Sequence, residues 1–126
     1  MYGPLDNQEE RRHNRFILDA KGTDLIQGTL DMLILKSLSL EPMHGFGVTQ
    51  RIEQISDSVF KVNPGSLLLA FQRLERAGQV EGEWRASENN RRARYYRLTR
   101  AGRRRLKLDT DDWKRRVEAI ARLLEA

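Results

Sequence analysis

Apolar side chains recur three or four residues apart in the segment TLDMLILKSLSLE, residues 29–41, and this spacing is typical of a helix with one buried face. The face comprises Leu30, Leu33, Ile34 and Leu38, widened by Met32 and Leu35. Pro42 follows in EPMHG and disfavours helix in the residue before it, which ends the segment. The pattern therefore predicts a buried first helix that stops near residue 41.

The next segment, FGVTQRIEQIS, predicts a second helix. Its apolar positions are Phe46, Val48, Ile52 and Ile55. Residues 57–62, DSVFKV, show no helical period and are expected to be irregular or extended.

A third helix is predicted in NPGSLLLAFQRLERAG, residues 63–78. Asn63 suits the N-cap, Pro64 suits the first helical position, and Gly78 suits the residue just after the helix. The three consecutive leucines, Leu67 to Leu69, cannot all lie on one narrow face of a helix, so helical spacing has to show which of them faces the core. A single helical stripe is formed by Leu67, Ala70, Phe71, Leu74 and Ala77, which we predict to be the core face.

The opposite face of this third helix carries Ser66, Leu68, Leu69, Gln72, Arg73 and Arg76. Gln72 has the chemistry to read an adenine edge, and Arg73 can reach a guanine or a phosphate. Leu68 and Leu69 leave two alternatives open. They contact thymine methyl groups in a major groove, or they are partly buried against a neighbouring hairpin or a partner chain.

Two extended pieces, QVEGEWR and ARYYRL, are joined by the polar segment ASENNRR, which predicts a β-hairpin. Period-two alternation places on its inner face Val80, Trp84, Tyr96 and Leu98. Thr99 then caps a last helix from about residue 100 to 124. Three helices followed by a hairpin predict a mostly α fold, a winged helix-turn-helix with the third helix as recognition element and the hairpin as wing.

The last helix has apolar positions at alternating spacings of four and three residues, which is a heptad seam. The seam is Leu106, Thr110, Trp113, Val117, Ile120 and Leu124. We predict that Trp113, Val117, Ile120 and Leu124 form a homodimer interface, the alternative being that the seam packs on the chain's own first helix. The expected organisation is an N-terminal arm at 1–24, with a short helix at 8–19 as an alternative to a flexible segment, a winged-helix domain at 25–99, and a dimerisation helix at 100–126.

Charge changes the picture, because its sign is uneven along the chain. The net charge is +5, but residues 1–90 hold 10 Lys/Arg against 13 Asp/Glu, and residues 91–126 hold 13 against 5. Residues 91–105 contain eight arginines and no acid. A solvated surface usually mixes both signs, so this block favours a polyanionic partner such as nucleic acid.

The residues also resemble the PadR family of bacterial transcriptional regulators. The resemblance is carried by GTLDMLILKSL (28–38), MHGFG (43–47), NPGSL (63–67), RLERAG (73–78) and SENNRRARYYRLTRAG (87–102). It implies a dimeric repressor with winged-helix DNA-binding domains, of the short type with one C-terminal dimerisation helix. It also raises an alternative role for Trp113, as part of a pocket for a small aromatic effector.

Two departures from the family pattern concern the predicted DNA-reading surface. The family usually has Gly-Ser-Leu-Tyr-Pro-Ala-Leu-His where this chain has GSLLLAFQ, residues 65–72. Leu68 thus stands at the tyrosine position, which the resemblance places near the DNA backbone, Leu69 at the proline position, and Gln72 at the histidine position. Phe46 also stands where the family prefers tyrosine.

The predicted DNA contacts combine the third helix with the wing. Arginines of the wing tip can enter a narrow minor groove or pair with phosphates, and Tyr95, which faces away from Tyr96, can hydrogen-bond a phosphate. The full predicted set is Asn63, Ser66, Leu68, Gln72, Arg73, Asn90, Arg91, Arg92, Arg94 and Tyr95, with Asn89 also at the wing tip.

Other functions are disfavoured by the residue types present. The chain has no cysteine and two separated histidines, His13 and His44, so a structural zinc site is not expected. No catalytic constellation or phosphate-binding glycine loop is evident, so we predict neither an enzyme nor a cofactor. No apolar run reaches the ~20 residues of a membrane span, and a cytoplasmic protein is expected. The rival to DNA binding is a winged helix that binds another protein through Leu68 and Leu69.

Overall fold

A computed structural model of the protein describes residues 16–18, 24–86 and 88–126, with side chains described from residue 28 onward. We number the elements of these residues in chain order. They are β1 Phe16–Leu18, α1 Asp24–Leu40, β2 Met43–His44, α2 Gly45–Ile55, β3 Phe60–Val62, α3 Pro64–Arg76, β4 Val80–Ala86, β5 Arg92–Leu98 and α4 Arg100–Glu125.

The order of elements confirms the predicted winged-helix fold. Strands β4 and β5 pair in antiparallel register from Val80↔Leu98 to Ala86↔Arg92, and this hairpin is the wing. Strand β2 adds to the other edge of β5, giving a three-stranded sheet in the order β2-β5-β4. The recognition helix, α3, lies between the wing and α2 in the chain.

The core lies where the helix stripes and the inner face of the wing meet. The buried apolar residues are Leu30, Ile34, Leu35, Leu38, Met43, Val48, Ile52, Val62, Leu67, Ala70, Phe71, Leu74, Val80, Tyr96 and Leu98. Phe71 and Tyr96 stack with ring centroids 3.9 Å apart, which joins the recognition helix to the wing. The predicted core stripe of α3 is thus confirmed for four of its five members.

Four apolar positions predicted to face the core do not. Ala77 is exposed because α3 ends at Arg76 and Ala77 is already its C-cap. Phe46 and Ile55 lie at the two ends of α2, past the reach of the neighbouring helices, and both are 67% exposed. Trp84 is on the inner face of the wing as predicted, but it lies beyond the edge of the core and is exposed.

The N-terminal arm contributes one strand. Residues 16–18 pair in parallel with β3, from Phe16↔Phe60 to Leu18↔Val62. The alternative of a helix over 8–19 is therefore wrong at 16–18, and the other residues of that stretch lie outside the described residues.

Local signals at the helix ends act as predicted. The Asn63 side chain accepts hydrogen bonds from the backbone N–H groups of Gly65 and Ser66, at 2.8 and 3.2 Å. Gly78 has a φ of 72°, a left-handed conformation that glycine adopts without steric cost. Thr99 accepts from the N–H of Gly102 at 3.1 Å and caps α4. His44 accepts from the N–H of Gly47 at 3.0 Å, so this histidine caps α2.

Gly102 marks the closest approach between α4 and the wing. A Cβ added there would overlap the backbone carbonyl oxygen of Gln79 and would lie 2.6 Å from a methyl group of Leu98. The backbone oxygen cannot move aside without shifting the start of β4. The absence of a side chain at Gly102 therefore lets α4 begin directly against the base of the wing.

We predict that Gly102→Ala lowers the free energy of unfolding by about 1–3 kcal/mol, because relieving the overlap requires backbone movement. Gly28→Ala is the matched control. A Cβ at Gly28 meets nothing within 4 Å, so this helical substitution is expected to be neutral or to stabilise by about 0.5–1 kcal/mol. Urea unfolding at one fixed protein concentration measures both, and equal stability of the two variants would contradict the prediction.

Candidate nucleic-acid interface

The first two turns of the recognition helix present an apolar outer surface. Leu68 is 56% exposed and Leu69 is 49% exposed, and Gln72 lies exposed one turn after Leu68. Arg76 is exposed at the last position of the helix. The prediction that these four residues lie on the outer face of α3 is confirmed.

Ser66 is the exception on this helix. Its residue is buried, with 3% of its surface exposed, so the prediction that it lies on the outer face is wrong. Ser66 directly precedes the core residue Leu67, and both residues, in the first turn of α3, are buried. A contact from the Ser66 side chain to DNA is not available in this arrangement.

Arg73 of α3 is held by a carboxylate from the first helix. Its Nη2 donates to Oδ1 of Asp31 at 2.9 Å, and the Asp31 side chain is only 9% exposed. The other oxygen of Asp31 accepts from Nη2 of Arg105 in α4 at 3.1 Å. Arg105 also donates to Oε1 of Gln79 at 2.6 Å. Arg73 therefore anchors the helix, and its predicted role in reading DNA stays a prediction.

We call Asp31, Arg73 and Arg105 the carboxylate node. It joins α1, α3 and α4 around one buried acid. The sequence prediction missed the role of Asp31, although a signal was present. Asp31 is an acid inside the most apolar segment of the chain, and a buried carboxylate needs cationic or hydrogen-bonding partners.

The wing tip, residues 88–92, is exposed at every position. Asn90 has a φ of 59°, a left-handed conformation that asparagine tolerates better than most residues. The turn directs the chain back into β5 at Arg92. Arg91 and Arg92 form no ion pair with a described residue, so no described acid competes with a partner for their guanidinium groups.

The inner face of the wing places two arginines around an exposed tryptophan. The guanidinium carbons of Arg92 and Arg94 lie 5.2 and 5.7 Å from the centroid of the Trp84 ring. Such cation–π contacts are weakly favourable at exposed sites. Trp84 therefore supports the wing-tip arginines instead of filling the core.

Arg94 also ties the wing to the recognition helix. Its Nη2 donates to Oε1 of Glu75 at 2.6 Å, and this hydrogen bond raises the pKa of Arg94 above its usual value. Gly82 makes room for the pair, because a Cβ there would lie 2.6 Å from Nε of Arg94 and 2.7 Å from the Glu75 oxygen. The predicted DNA contact from Arg94 thus competes with a structural ion pair that the sequence did not reveal.

Tyr95 lies on the outer face of the wing, as the alternation predicted. Its ring meets that of His44 edge-on, with the two ring centroids 5.3 Å apart. The guanidinium carbon of Arg85 lies 5.2 Å from the centroid of the Tyr95 ring. Tyr96, on the inner face, has its pKa raised above the usual value, mainly by burial. The predicted contact from Tyr95 to a phosphate stays a prediction.

A groove runs between the start of the recognition helix and the wing tip. Its floor and walls include Phe46, Pro64 and Leu68 from the helices. Arg91 and Arg92 border it from the wing. We call it the helix–wing groove. Its helix side is mainly apolar, and its wing side carries three arginines and one acid, Glu88. Of the predicted DNA contacts, the groove brings together Leu68, Arg91, Arg92 and Arg94.

The heptad seam of α4 becomes more exposed along the helix. Leu106 packs against the core, whereas Trp113 is 39%, Val117 44%, Ile120 54% and Leu124 82% exposed. Packing on the chain's own domain therefore applies to the first turn of the seam, and the predicted homodimer interface stays a prediction. The last four apolar positions of the seam are only partly covered by the described residues, and the exposed fraction rises steadily from Trp113 to Leu124.

Trp113 also borders a cleft between α1 and α4. Met32 and Thr29 line it from α1, and Asp109, Asp112 and Arg116 line it from α4. The space is therefore mixed in character, with one aromatic wall and several charged groups.

The arginine-rich run does not form one continuous basic surface. Three of its eight members are paired: Arg94 with Glu75, Arg97 with Glu81, and Arg105 with Asp31 and Asp109. Arg100, Arg103 and Arg104 are exposed at the start of α4.

Neither a metal site nor a membrane-spanning helix is found among the described residues. No three His, Asp or Glu side chains gather there into a possible metal site. Within the same residues, no helix combines the length and apolar character of a membrane span.

Comparison with known proteins gives a consistent match. The family model described as "Transcriptional regulator PadR-like family" matches residues 34–108. A transcriptional regulator from Clostridium thermocellum is similar in structure, with a TM-score of 0.72 and 27% identity over 79% of this chain and 97% of that one. A padr family transcriptional regulator from Eggerthella lenta has a TM-score of 0.67 and 29% identity, over 82% of this chain and 88% of its own. An uncharacterized protein from Lysinibacillus sphaericus is 27% identical over 103 residues, which are 82% of this chain and 94% of that protein.

We predict that Asp31→Ala lowers the free energy of unfolding by about 1–3 kcal/mol. Removing one partner of a fully buried ion pair costs about 3–5 kcal/mol, and partial exposure of Arg73 and Arg105 reduces that cost through solvent screening. Asp111→Ala is the control, because Asp111 pairs with Lys107 on an exposed helix surface and should matter by about 0.5 kcal/mol or less. Urea unfolding compares the two, and similar losses would show that the carboxylate node does not stabilise the fold.

Proposed function

The chain belongs to the PadR-like family of transcriptional regulators, and we propose that it is a sequence-specific DNA-binding repressor that acts as a homodimer. Membership of this family agrees with the expectation that the chain is not an enzyme. The observation that carries the proposal is the helix–wing groove, where an exposed recognition helix and the unpaired arginines of the wing tip border one site.

The two sides of this groove suit two different parts of DNA. A helix about 20 Å long, from 13 residues at ~1.5 Å each, fits into a major groove. The wing tip beside it carries Arg91 and Arg92, which pair with phosphates or enter the adjacent minor groove. We assign base reading to Leu68, Leu69 and Gln72, and backbone binding to the wing tip.

The exposed part of the α4 seam supports the homodimer. Trp113, Val117, Ile120 and Leu124 continue a heptad pattern beyond the turn that packs on the chain's own core. A second copy related by a two-fold axis would cover them and place two recognition helices on inverted half-sites about one helical turn (~34 Å) apart. We place Trp113 in this interface, and a small aromatic effector stacked on Trp113 in the neighbouring cleft is the alternative.

A protein-binding winged helix is the second candidate function. The observation that favours it is the exposure of Leu68, Leu69 and Phe46, since apolar surface of this kind also marks contacts between proteins. The three arginines on the wing side of the groove favour DNA over this candidate. Selection of bound DNA from a random pool separates them, because only the DNA-binding function enriches a sequence.

We predict that the double substitution Arg91→Ala with Arg92→Ala weakens binding to all DNA sequences about equally. The slope of log affinity against log salt should also fall by about 2, because each arginine removed leaves one phosphate that the protein no longer neutralises. Gln72→Ala should instead change the preferred sequence. Fluorescence anisotropy over 50–200 mM salt measures both effects. If about six phosphates are contacted, the unsubstituted protein should lose on the order of 10³-fold in affinity over this range.

The charge-matched control is Arg103→Ala with Arg104→Ala. These residues follow the base of the wing, about 20 Å from its tip at ~3.3 Å per strand residue. They should change the salt slope less than the wing-tip pair does. A wing-tip variant that binds DNA like the unsubstituted protein would overturn the site assignment.

We predict that Ile120→Asp converts the dimer to a monomer, because a buried carboxylate in a helix seam lacks a partner. Leu108→Asp is the matched control, since Leu108 is an exposed leucine of the same helix that lies off the seam. Sedimentation velocity measures the oligomeric state of both. The seam assignment fails if the two variants dissociate alike or neither does.

A further inference from the structure

The most unusual feature of the recognition helix is the pair of leucines on its outer face. Leu68 and Leu69 are both about half exposed, and Phe46, which lines the helix–wing groove with Leu68, is 67% exposed. The first turn and a half of α3 thus offers a partner no charged side chain, and exposed hydrogen-bonding side chains stand only before it, at Asn63, and after it, at Gln72. A surface of this kind selects its partner through apolar contact.

The surroundings of the leucines decide which partner fits. Arg91 and Arg92 border the groove that Leu68 lines, together with one acid, Glu88, and the two arginines form no ion pair with a described residue. A polyanion with apolar groups along its edge satisfies both properties of the groove. In the major groove of DNA the apolar group presented by the base pairs is the C5 methyl of thymine.

We propose that Leu68 and Leu69 are specificity-determining residues that read thymine methyl groups in each operator half-site. The proposal rests on the proposed DNA-binding function and names what that function recognises. The two side chains are about 100° apart around the helix, as consecutive helical residues are, so they contact different bases. Gln72 lies one turn after Leu68, about 6 Å along the helix, and reads an adenine one or two base pairs away.

Replacing single thymines by deoxyuridine tests this proposal, because the change removes the methyl group and leaves base pairing intact. The probe is the sequence enriched by the unsubstituted protein from a random pool, with each thymine replaced in turn. We expect at least one thymine in each half-site to lose about fourfold in affinity per methyl group, the value for one buried carbon. The loss should disappear in Leu68→Ala or in Leu69→Ala, depending on which leucine contacts that methyl.

Leu108→Ala is the control, because it truncates an exposed leucine far from the groove and should keep the full deoxyuridine penalty. Tight binding with no penalty at any thymine would overturn this inference alone and leave the proposed function intact. A penalty that persists in both leucine variants would also overturn it, since another residue would then read the methyl. If no sequence is enriched at all, both proposals fail, and the groove is then better explained as a site for an acidic protein segment.

Discussion

The buried carboxylate of Asp31 is the interaction on which the arrangement of the three long helices depends. It accepts one guanidinium from the recognition helix and one from α4, at 2.9 and 3.1 Å. Removing a carboxylate from water is costly unless it is paired, so the acid fixes both arginines as much as they stabilise it. Because α4 also carries the exposed seam, the node links the proposed dimer helix directly to the proposed DNA-reading helix.

The recognition helix is consequently divided into two functional halves. Its C-terminal half is held on two sides, by Arg73 at the carboxylate node and by Glu75 through Arg94 of the wing. Gly82 leaves room for the second tie, because a Cβ there would force the Arg94 and Glu75 side chains to shift. The residues before Arg73 include Leu68, Leu69 and Gln72, which are exposed and uncharged. Exposed side chains on a helix that is held rigidly at its other end suit precise reading of a partner, because the helix cannot shift when the partner binds.

Sequence patterns predicted the parts of this structure that depend on local chemistry. Asn63, Gly78 and Thr99 act at helix ends through bonds to residues within three positions, and the α3 stripe follows from helical periodicity. The errors occurred where burial depends on distant neighbours. Trp84 and Phe46 have core-like residue types, but both lie outside the apolar core and are more than half exposed. Asp31, Glu75 and Gly82 were missed for the same reason, since their partners lie 42, 19 and 12 positions away in sequence.

The arginine-rich run shows how composition and structure assign different weights to the same charges. Composition treats its eight arginines as one basic block, whereas ion pairs neutralise Arg94, Arg97 and Arg105. Three exposed members, Arg100, Arg103 and Arg104, stand in the first turns of α4, where the helix dipole disfavours positive charge by about 0.3–1 kcal/mol each. Their separation from the wing tip exceeds the screening length of ~8 Å at physiological salt. They therefore add to the long-range attraction of a polyanion, and close contact in the helix–wing groove depends on the two arginines at the wing tip.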